Sequence, residues 1–384
     1  MDMHTRHHLT LTVLPRYLAA NKVEKTKILD EYCANTGYDR KYAIAKLRAY
    51  QVTPGVREMV PGRHRRKRER MYGKDVEAAL AVLWEAYDHL CAERLHPNLS
   101  RYVDKLMDCG ELSVSAAVEL KLRAVSLGTL KTLITNVRTR EYGTVGGTTK
   151  PGTLLKNEIP LRVGSWDETT CGFLEIDLVA QCGACAMGEF MHTLNTTDIA
   201  TGWFEAEAFL GKAQERVFAG LKAIRERLPC TLRGIDSDNG GEFINWELVR
   251  YCEREHIEFT RSRSYQKNDN AHIEQKNWTC VRRNLGYTRI EAQERVDAVN
   301  TLLRGPLREY INFCLPSQKC VAKKRVGARV VKTYDTARTP YERMLEQTCV
   351  SDEVKAALRK RYEEINPVAL RREIAMLKRR IFRH

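Results

Sequence analysis

The alternation of apolar and polar positions is clearest between residues 172 and 285. GFLEIDLVA (172–180) is an apolar run interrupted by Glu175 and Asp177, and it predicts a strand with Asp177 among buried positions. EFMHTLNTTDIATGWFEAEAF predicts a hairpin that turns between Thr197-Asp198 and Gly202. AQERVFAGLKAIRERL places apolar residues three and four apart, the spacing of an amphipathic helix. TLRGIDSD then predicts a strand ending at Asp238. FINWELVRYCEREH predicts a helix, EFTRSR a short strand and AHIEQKNWTCVRRNL a helix carrying Glu274. The result is an α/β domain over 160–315, a mixed five-stranded sheet flanked by helices.

Ahead of this domain the pattern is helical. KTKILDEYCANTGYDRKYAIAKLRAY (25–50) reads as helix, turn, helix, with Ile28, Leu29, Tyr32 and Cys33 on one face and Ala43, Ile44 and Leu47 on the facing one. Gly37 supplies the turn. Residues 1–60 are therefore an all-α helix-turn-helix region, whose second helix would set Arg40 and Lys41 against bases or phosphates. An ordinary helical hairpin with solvated charges is the alternative. Residues 74–95 predict one amphipathic helix through Val76, Leu80, Leu83, Trp84 and Tyr87. Residues 111–137 predict a helix pair broken at Val125-Ser126, with Ser126 capping its second member. Residues 61–141 are thus a basic linker and a second helical domain, of helix-turn-helix layout or of plain three-helix packing. Gly, Thr and Pro in YGTVGGTTKPGT mark a linker over 142–159. Beyond the core, 316–384 is a small basic C-terminal region. In it VGARVVKTY alternates as short strands do, and helices flank Pro367.

Charge sharpens this picture. Against 49 acidic residues stand 64 lysines and arginines, a formal net charge of +15 over 384 residues, which favours a polyanionic partner. The run PGRHRRKRER (61–70) is too charged to pack. Its Arg63, Arg65, Arg66, Lys67 and Arg68 would neutralise phosphates. Lys150 in the linker is a further candidate. So are Arg261, Arg263, Tyr265 and Lys267 in RSRSYQKNDN, and Lys276 beyond Glu274. No apolar run approaches the roughly 20 residues that span a bilayer. The N-terminus has no signal-peptide pattern, so a cytoplasmic protein without a membrane partner is expected, nucleoid-associated when bound to DNA. Of the 12 cysteines only Cys182 and Cys185 form a C-x-x-C, and His4, His7 and His8 have no thiolates at zinc-site spacing, so no structural zinc is expected.

Three carboxylates stand out as chemistry. Asp177 lies in EIDLVA and Asp238 in IDSDNGGEF; Glu274 lies in NDNAHIEQKN, with 35 residues between it and Asp238. Such a set, brought together by a fold, suits two-metal phosphoryl transfer. Asp236 is a rival for Asp238 on the same strand face. Glu175 shares a face with Asp177 and is read as a solvated or paired glutamate, with support of Asp177 as the alternative; Asp198 is read as an Asx-type turn, and Trp278 as packing inward on the Glu274 helix.

Together these words resemble the integrase-type DDE transposases of bacterial insertion sequences, over most of the chain. The resemblance implies a ribonuclease H-like core and catalysis by Asp177, Asp238 and Glu274 as ligands of two Mg²⁺ ions, with Mn²⁺ as a substitute. It implies cutting and joining of DNA between the element's terminal inverted repeats and a target, by at least a dimer on DNA. Two rivals remain open: a transposase-derived DNA-binding protein without catalysis, and a nuclease of the same fold that cuts without joining.

Overall fold

The computed structural model describes residues 2–49, 71–142, 169–185, 187–237, 246–261, 276–326 and 329–382. The chain divides into two compact units, Met1–Met71 and Tyr72–His384. Among the described residues no helix is long and apolar enough to cross a membrane.

The first unit holds α1 (Met3–Ala19), α2 (Lys22–Thr36) and α3 (Arg40–Ala49). Asn21 caps α2 in a reciprocal box with Glu24, and Gly37 ends it at φ 71°, where its N–H reaches the carbonyl of Cys33. Asp39 then accepts from the backbone of Lys41 at 2.9 Å, starting α3. Leu14, Tyr17, Ile28, Leu29, Tyr32, Ala43 and Leu47 form the core. Five of these seven thus come from the turn motif and the other two, Leu14 and Tyr17, from α1, which the periodicity left unread.

The second unit is built on a sheet of β1 (Phe173–Ala180), β2 (Met191–Asp198), β3 (Phe204–Leu210), β4 (Gly234–Ser237) and β5 (Glu258–Arg261). The strand order is β3-β2-β1-β4-β5. β1–β2 and β2–β3 pair antiparallel; β1–β4 and β4–β5 pair parallel. This is the mixed sheet expected, in the ribonuclease H-like order. Period-two alternation sends Leu174, Ile176, Leu194 and Ile235 to one face. There they pack on Val217, Leu221 and Ile224 of α9 (Gln214–Arg227) and on Tyr251 and Cys252 of α10 (Trp246–Arg254). The opposite face carries Val179, Met191, Phe204, Ala206 and Ala208. It joins a larger core with Cys280, Val281 and the helices that follow.

Those helices are a π-helical turn (Asn277–Arg282) running into α11 (Arg283–Leu285), then α12 (Gln293–Arg304) and α13 (Pro306–Glu309), which continues as a π-turn to Cys314. The helices before the sheet share this core. They are α4 (Lys74–Ala86), α5 (Ala92–Leu95), α6 (Leu99–Asp108), α7 (Ala116–Ala124) and α8 (Leu127–Tyr142). Tyr102 donates to the carbonyl of Cys314 at 3.0 Å and Tyr310 to that of Ala86 at 2.8 Å. Ser126 caps α8, accepting from Thr129 N at 3.3 Å.

One helix is shorter than its periodicity predicts. The pattern through Tyr87 continues α4, yet the helix stops at Ala86 because Asp88 and His89 both take φ 56°. The indole of Trp84 fixes the reversal by donating to the carbonyl of Leu90 at 2.9 Å. In the tail, β6 (Cys320–Val326) and β7 (Arg329–Tyr334) form a separate antiparallel pair. α14 (Pro340–Leu345), α15 (Asp352–Glu364) and α16 (Pro367–Phe382) follow, with Pro367 opening the last of them.

Candidate active site

Asp177 sits in the second half of β1, the central strand of the sheet, and is half-buried. Its Oδ1 accepts from Leu178 N at 2.8 Å. Its Oδ2 accepts from the side-chain amide of Asn277, at the start of the π-helical turn. Asn277 Oδ1 in turn accepts from Asn195 Nδ2 at 2.6 Å. Asn195 is the register partner of Asp177 on β2. Two amides therefore link β2, the helix and the carboxylate in one chain, and the rotamer of Asp177 is set from two directions.

The same sheet face is polar well beyond Asp177. Glu175 pairs in register with Thr197 on β2 and Asp236 on β4, and Asp236 pairs with Thr260 on β5. Glu175 and Asp236 are 2% and 1% exposed. Thr260 Oγ1 donates to Asp236 at 2.6 Å. Of the two readings given for Glu175, solvated or paired, its burial removes the first. The buried hydroxyls of Thr193 and Thr197 and Oδ1 of Asn195 have no hydrogen-bond partner among the described residues. Desolvated polar atoms of this kind are expensive when left unmet, so a polar patch around Asp177 lies on the same sheet face that carries Val179, Phe204, Ala206 and Ala208 into the larger core.

Asp177 is the one member of the expected triad that the described residues include; Asp238 and Glu274 lie outside them. The residues next to both are described. Ser237, immediately before Asp238, pairs with Ile176, immediately before Asp177. Asn277, three residues after Glu274, touches Asp177. Among the described residues no three His, Cys, Asp or Glu side chains converge on a metal position.

Other expected residues fare differently. Arg40 is ion-paired with Asp30 and partly exposed, and Lys41 is exposed. Lys276 is half-buried at the head of the π-helical turn. Arg261 ends β5 opposite Ser237. Arg63, Arg65, Arg66, Lys67, Arg68, Lys150, Arg263, Tyr265 and Lys267 lie outside the described residues. Trp278 does not pack inward: it is 57% exposed. Val281 is buried as regular spacing predicts, but within the π-helical turn Cys280 and not Trp278 is the other buried position. Arg282 is turned inward to Gln181 at 2.8 Å, and Arg283 is paired with Asp88. Asp198 is an Asx-type turn as expected, accepting from Thr201 N and Gly172 N at 2.7 Å each, and its burial raises its pKa.

Asn195 and Asn277 are the functional candidates that sequence reasoning missed. Asn277 carried a usable signal, lying one helical step from Glu274. Asn195 carried none until the β1–β2 register was known.

No protein-family model matches the chain. Parts of it are similar to solved retroviral integrases. One is the catalytic core domain of BIV integrase, at 19% identity over 46% of this chain and 94% of that one, with a TM-score of 0.30. Another is the HTLV-2 integrase catalytic core domain in complex with magnesium, at 13% identity over 39% of this chain and 92% of that one, with a TM-score of 0.29. A third is the simian T-cell lymphotropic virus intasome in complex with PP2A regulatory subunit B56 gamma, at 12% identity, covering 51% of this chain and 64% of that one, with a TM-score of 0.31. Similarity along nearly the whole length is found with the uncharacterized protein y4rM of Sinorhizobium fredii (strain NBRC 101917 / NGR234). The two are 36% identical over 344 residues, which cover 89% of this chain and 96% of the relative. The chain therefore belongs to the family of the Sinorhizobium fredii protein y4rM.

Proposed function

We propose that this chain is an integrase-type DDE transposase, a polynucleotidyl transferase that binds the terminal repeats of its element, cuts their 3′ ends and joins them to target DNA. One observation carries the reading. Asn277 belongs to the same tract as Glu274, NDNAHIEQKN, and its amide holds Asp177 on the central strand. The pairing of Ile176 with Ser237, each one residue before a proposed acid, supports the same convergence.

The reading implies two Mg²⁺ ions, with Asp177, Asp238 and Glu274 as proposed ligands. The donors present suit a hard cation: a carboxylate, with buried hydroxyl and amide oxygens nearby that lack partners among the described residues. When bound, the ions supply activation of the attacking oxygen and stabilisation of the leaving one.

The chain's own residues fix the geometry. Leu178 N–H donates to one oxygen of Asp177 and the Asn277 amide to the other, so both oxygens are held in a fixed orientation. In the first step a water oxygen attacks the scissile phosphorus, and the bond to the 3′ oxygen breaks to leave a 3′-hydroxyl. In the second step that hydroxyl attacks a target phosphodiester. A new P–O bond forms, the attacking oxygen loses its proton, and the displaced target 3′ oxygen takes one up. No covalent protein–DNA intermediate is required. The first unit and the basic run 61–70 are the proposed DNA contacts, and joining two ends calls for at least a dimer on DNA.

The test is to incubate purified full-length protein with a pre-cleaved element end and a plasmid target, with and without Mg²⁺. Joined product that requires Mg²⁺ supports the reading. DNA binding with no cleavage or joining overturns it in favour of a binding protein. Cleavage without joining overturns it in favour of a nuclease.

A further inference from the structure

A cleft of about 380 Å³ lies between the end of α4, the π-helical turn with α11, the π-helical end of α13, and α16. Its wall is apolar at Leu307, Ile311 and Ile374, and three cations line it: Arg283, Arg371 and Lys378. The one carboxylate in the lining, Asp88, is already engaged. Arg283 holds it at two points, one of them Nη2 at 3.0 Å. Arg371 is turned to the backbone carbonyl of Glu85, a neutral partner. Among the described residues Lys378 has neither a hydrogen-bond nor an ion-pair partner.

Lys378 is half-buried, and its pKa is lowered by burial and by the charge of Arg283, against a smaller opposing effect of Asp88. Two cations without a carboxylate partner among the described residues, Arg371 and Lys378, therefore line a partly desolvated space. Such an arrangement is unfavourable until an anion completes it. The volume falls within the range of pockets that hold small organic ligands.

We propose that this cleft is a phosphate-binding site, in which Lys378 and Arg371 take the phosphate oxygens and the apolar wall receives the organic group attached to them. The phosphate is either a phosphodiester of bound DNA or a free phosphomonoester; both present anionic non-bridging oxygens. The DNA source rests on the function proposed above, and the site itself does not.

The experiment is calorimetric titration of the full chain with inorganic pyrophosphate at low chloride and without Mg²⁺. Wild type is compared with Lys378→Gln and with Arg379→Gln, which removes an exposed cation from the same helix outside the cleft. The expected result is a loss of affinity of at least about tenfold for K378Q and a change within about twofold for R379Q, each lost charge–phosphate contact accounting for a change of that order. In parallel, methyl-¹³C-labelled lysines are titrated by NMR. One resonance with a low pKa, missing in K378Q, should move up when pyrophosphate is added. No binding to wild type, or equal affinity in all three proteins, overturns the proposal. Displacement of pyrophosphate by a 20-bp duplex identifies DNA as the source, and displacement by adenosine monophosphate alone identifies a free phosphomonoester. Either supports the site. A wild type that binds pyrophosphate through Lys378 yet never joins DNA keeps the cleft and loses the transposase reading. A wild type that joins DNA without binding pyrophosphate does the reverse.

Discussion

Asn277 donates its side-chain amide to Oδ2 of Asp177, a residue 100 positions earlier in the chain. The contact ties the π-helical turn to the central strand, and Asn195 holds Asn277 in place from β2. Outer contacts of this kind orient a metal-binding carboxylate. Asn277→Ala is therefore expected to slow DNA joining roughly 10–100-fold and to raise the Mg²⁺ concentration needed, with little change in melting temperature. Single-turnover joining across a Mg²⁺ series checks this. An unchanged rate and Mg²⁺ midpoint would remove Asn277 from the site.

A buried ion network holds β3 to the helices. Glu205 has a side chain 1% exposed and accepts from Arg308 at 2.6 Å, from Trp203 Nε1 at 2.9 Å and from Arg227 at 3.3 Å. Removing one partner of such a network leaves the others buried without compensation. Glu205→Ala should lower stability by about 3–5 kcal/mol, read from urea unfolding. A loss under about 1 kcal/mol would place the network among weak surface pairs.

Strands and amphipathic helices of the core were legible because their two periods differ sharply. EIDLVA alternates, whereas AQERVFAGLKAIRERL repeats at helical spacing. The end of α4 was not legible, since apolar spacing runs on through Tyr87 and only the left-handed Asp88 and His89 stop the helix. The exposure of Trp278 was hidden for a related reason: a π-helical turn changes which positions face inward without altering the sequence pattern. In the site, Asp177 could be picked out as an acid in an apolar strand. Glu175 shares its face by simple alternation, whereas Thr193 and Thr197 depend on strand register, which one sequence does not specify.

Thiol reactivity should divide sharply. Burial pushes the Cys314 thiol up to about 12 and that of Cys252 up to about 11, and it also raises Cys280. These groups carry almost no thiolate at pH 8. Cys91, Cys185, Cys320 and Cys349 are exposed, and the Cys349 thiol is raised by burial and by its contact with Cys171. Brief iodoacetamide treatment of the folded protein at pH 8, followed by peptide mapping, should label Cys91, Cys185 and Cys320 and spare Cys252, Cys280 and Cys314. Labelling of Cys314 at a comparable rate would contradict the packing around Tyr102.

Asp335 links the base of the β6–β7 pair to α14. Burial tends to raise its pKa, but the hydrogen bond from Arg343 and the backbone N–H of Lys319 outweigh this and hold it below the usual carboxylate value. A carboxyl lowered on folding stabilises the protein above its unfolded pKa of roughly 3.9, and the contribution fades as pH falls through the folded value. Asp335→Asn should therefore melt lower than wild type at pH 7 by an amount that stays constant to about pH 5 and shrinks below about pH 4. A deficit independent of pH would show that charge plays no part.

The central claim is that Asp177, Asp238 and Glu274 act together on DNA. Its most direct measurement is Mg²⁺-dependent joining of a pre-cleaved element end by wild type, Asp177→Asn, Asp238→Asn, Glu274→Gln and Asp236→Asn, all tested for unchanged DNA binding. Loss of joining by about 10³-fold or more in the first three variants, with a smaller loss in Asp236→Asn, is the predicted result. Joining retained by Asp177→Asn or Glu274→Gln, or lost through Asp236→Asn while Asp238→Asn stays active, would contradict it.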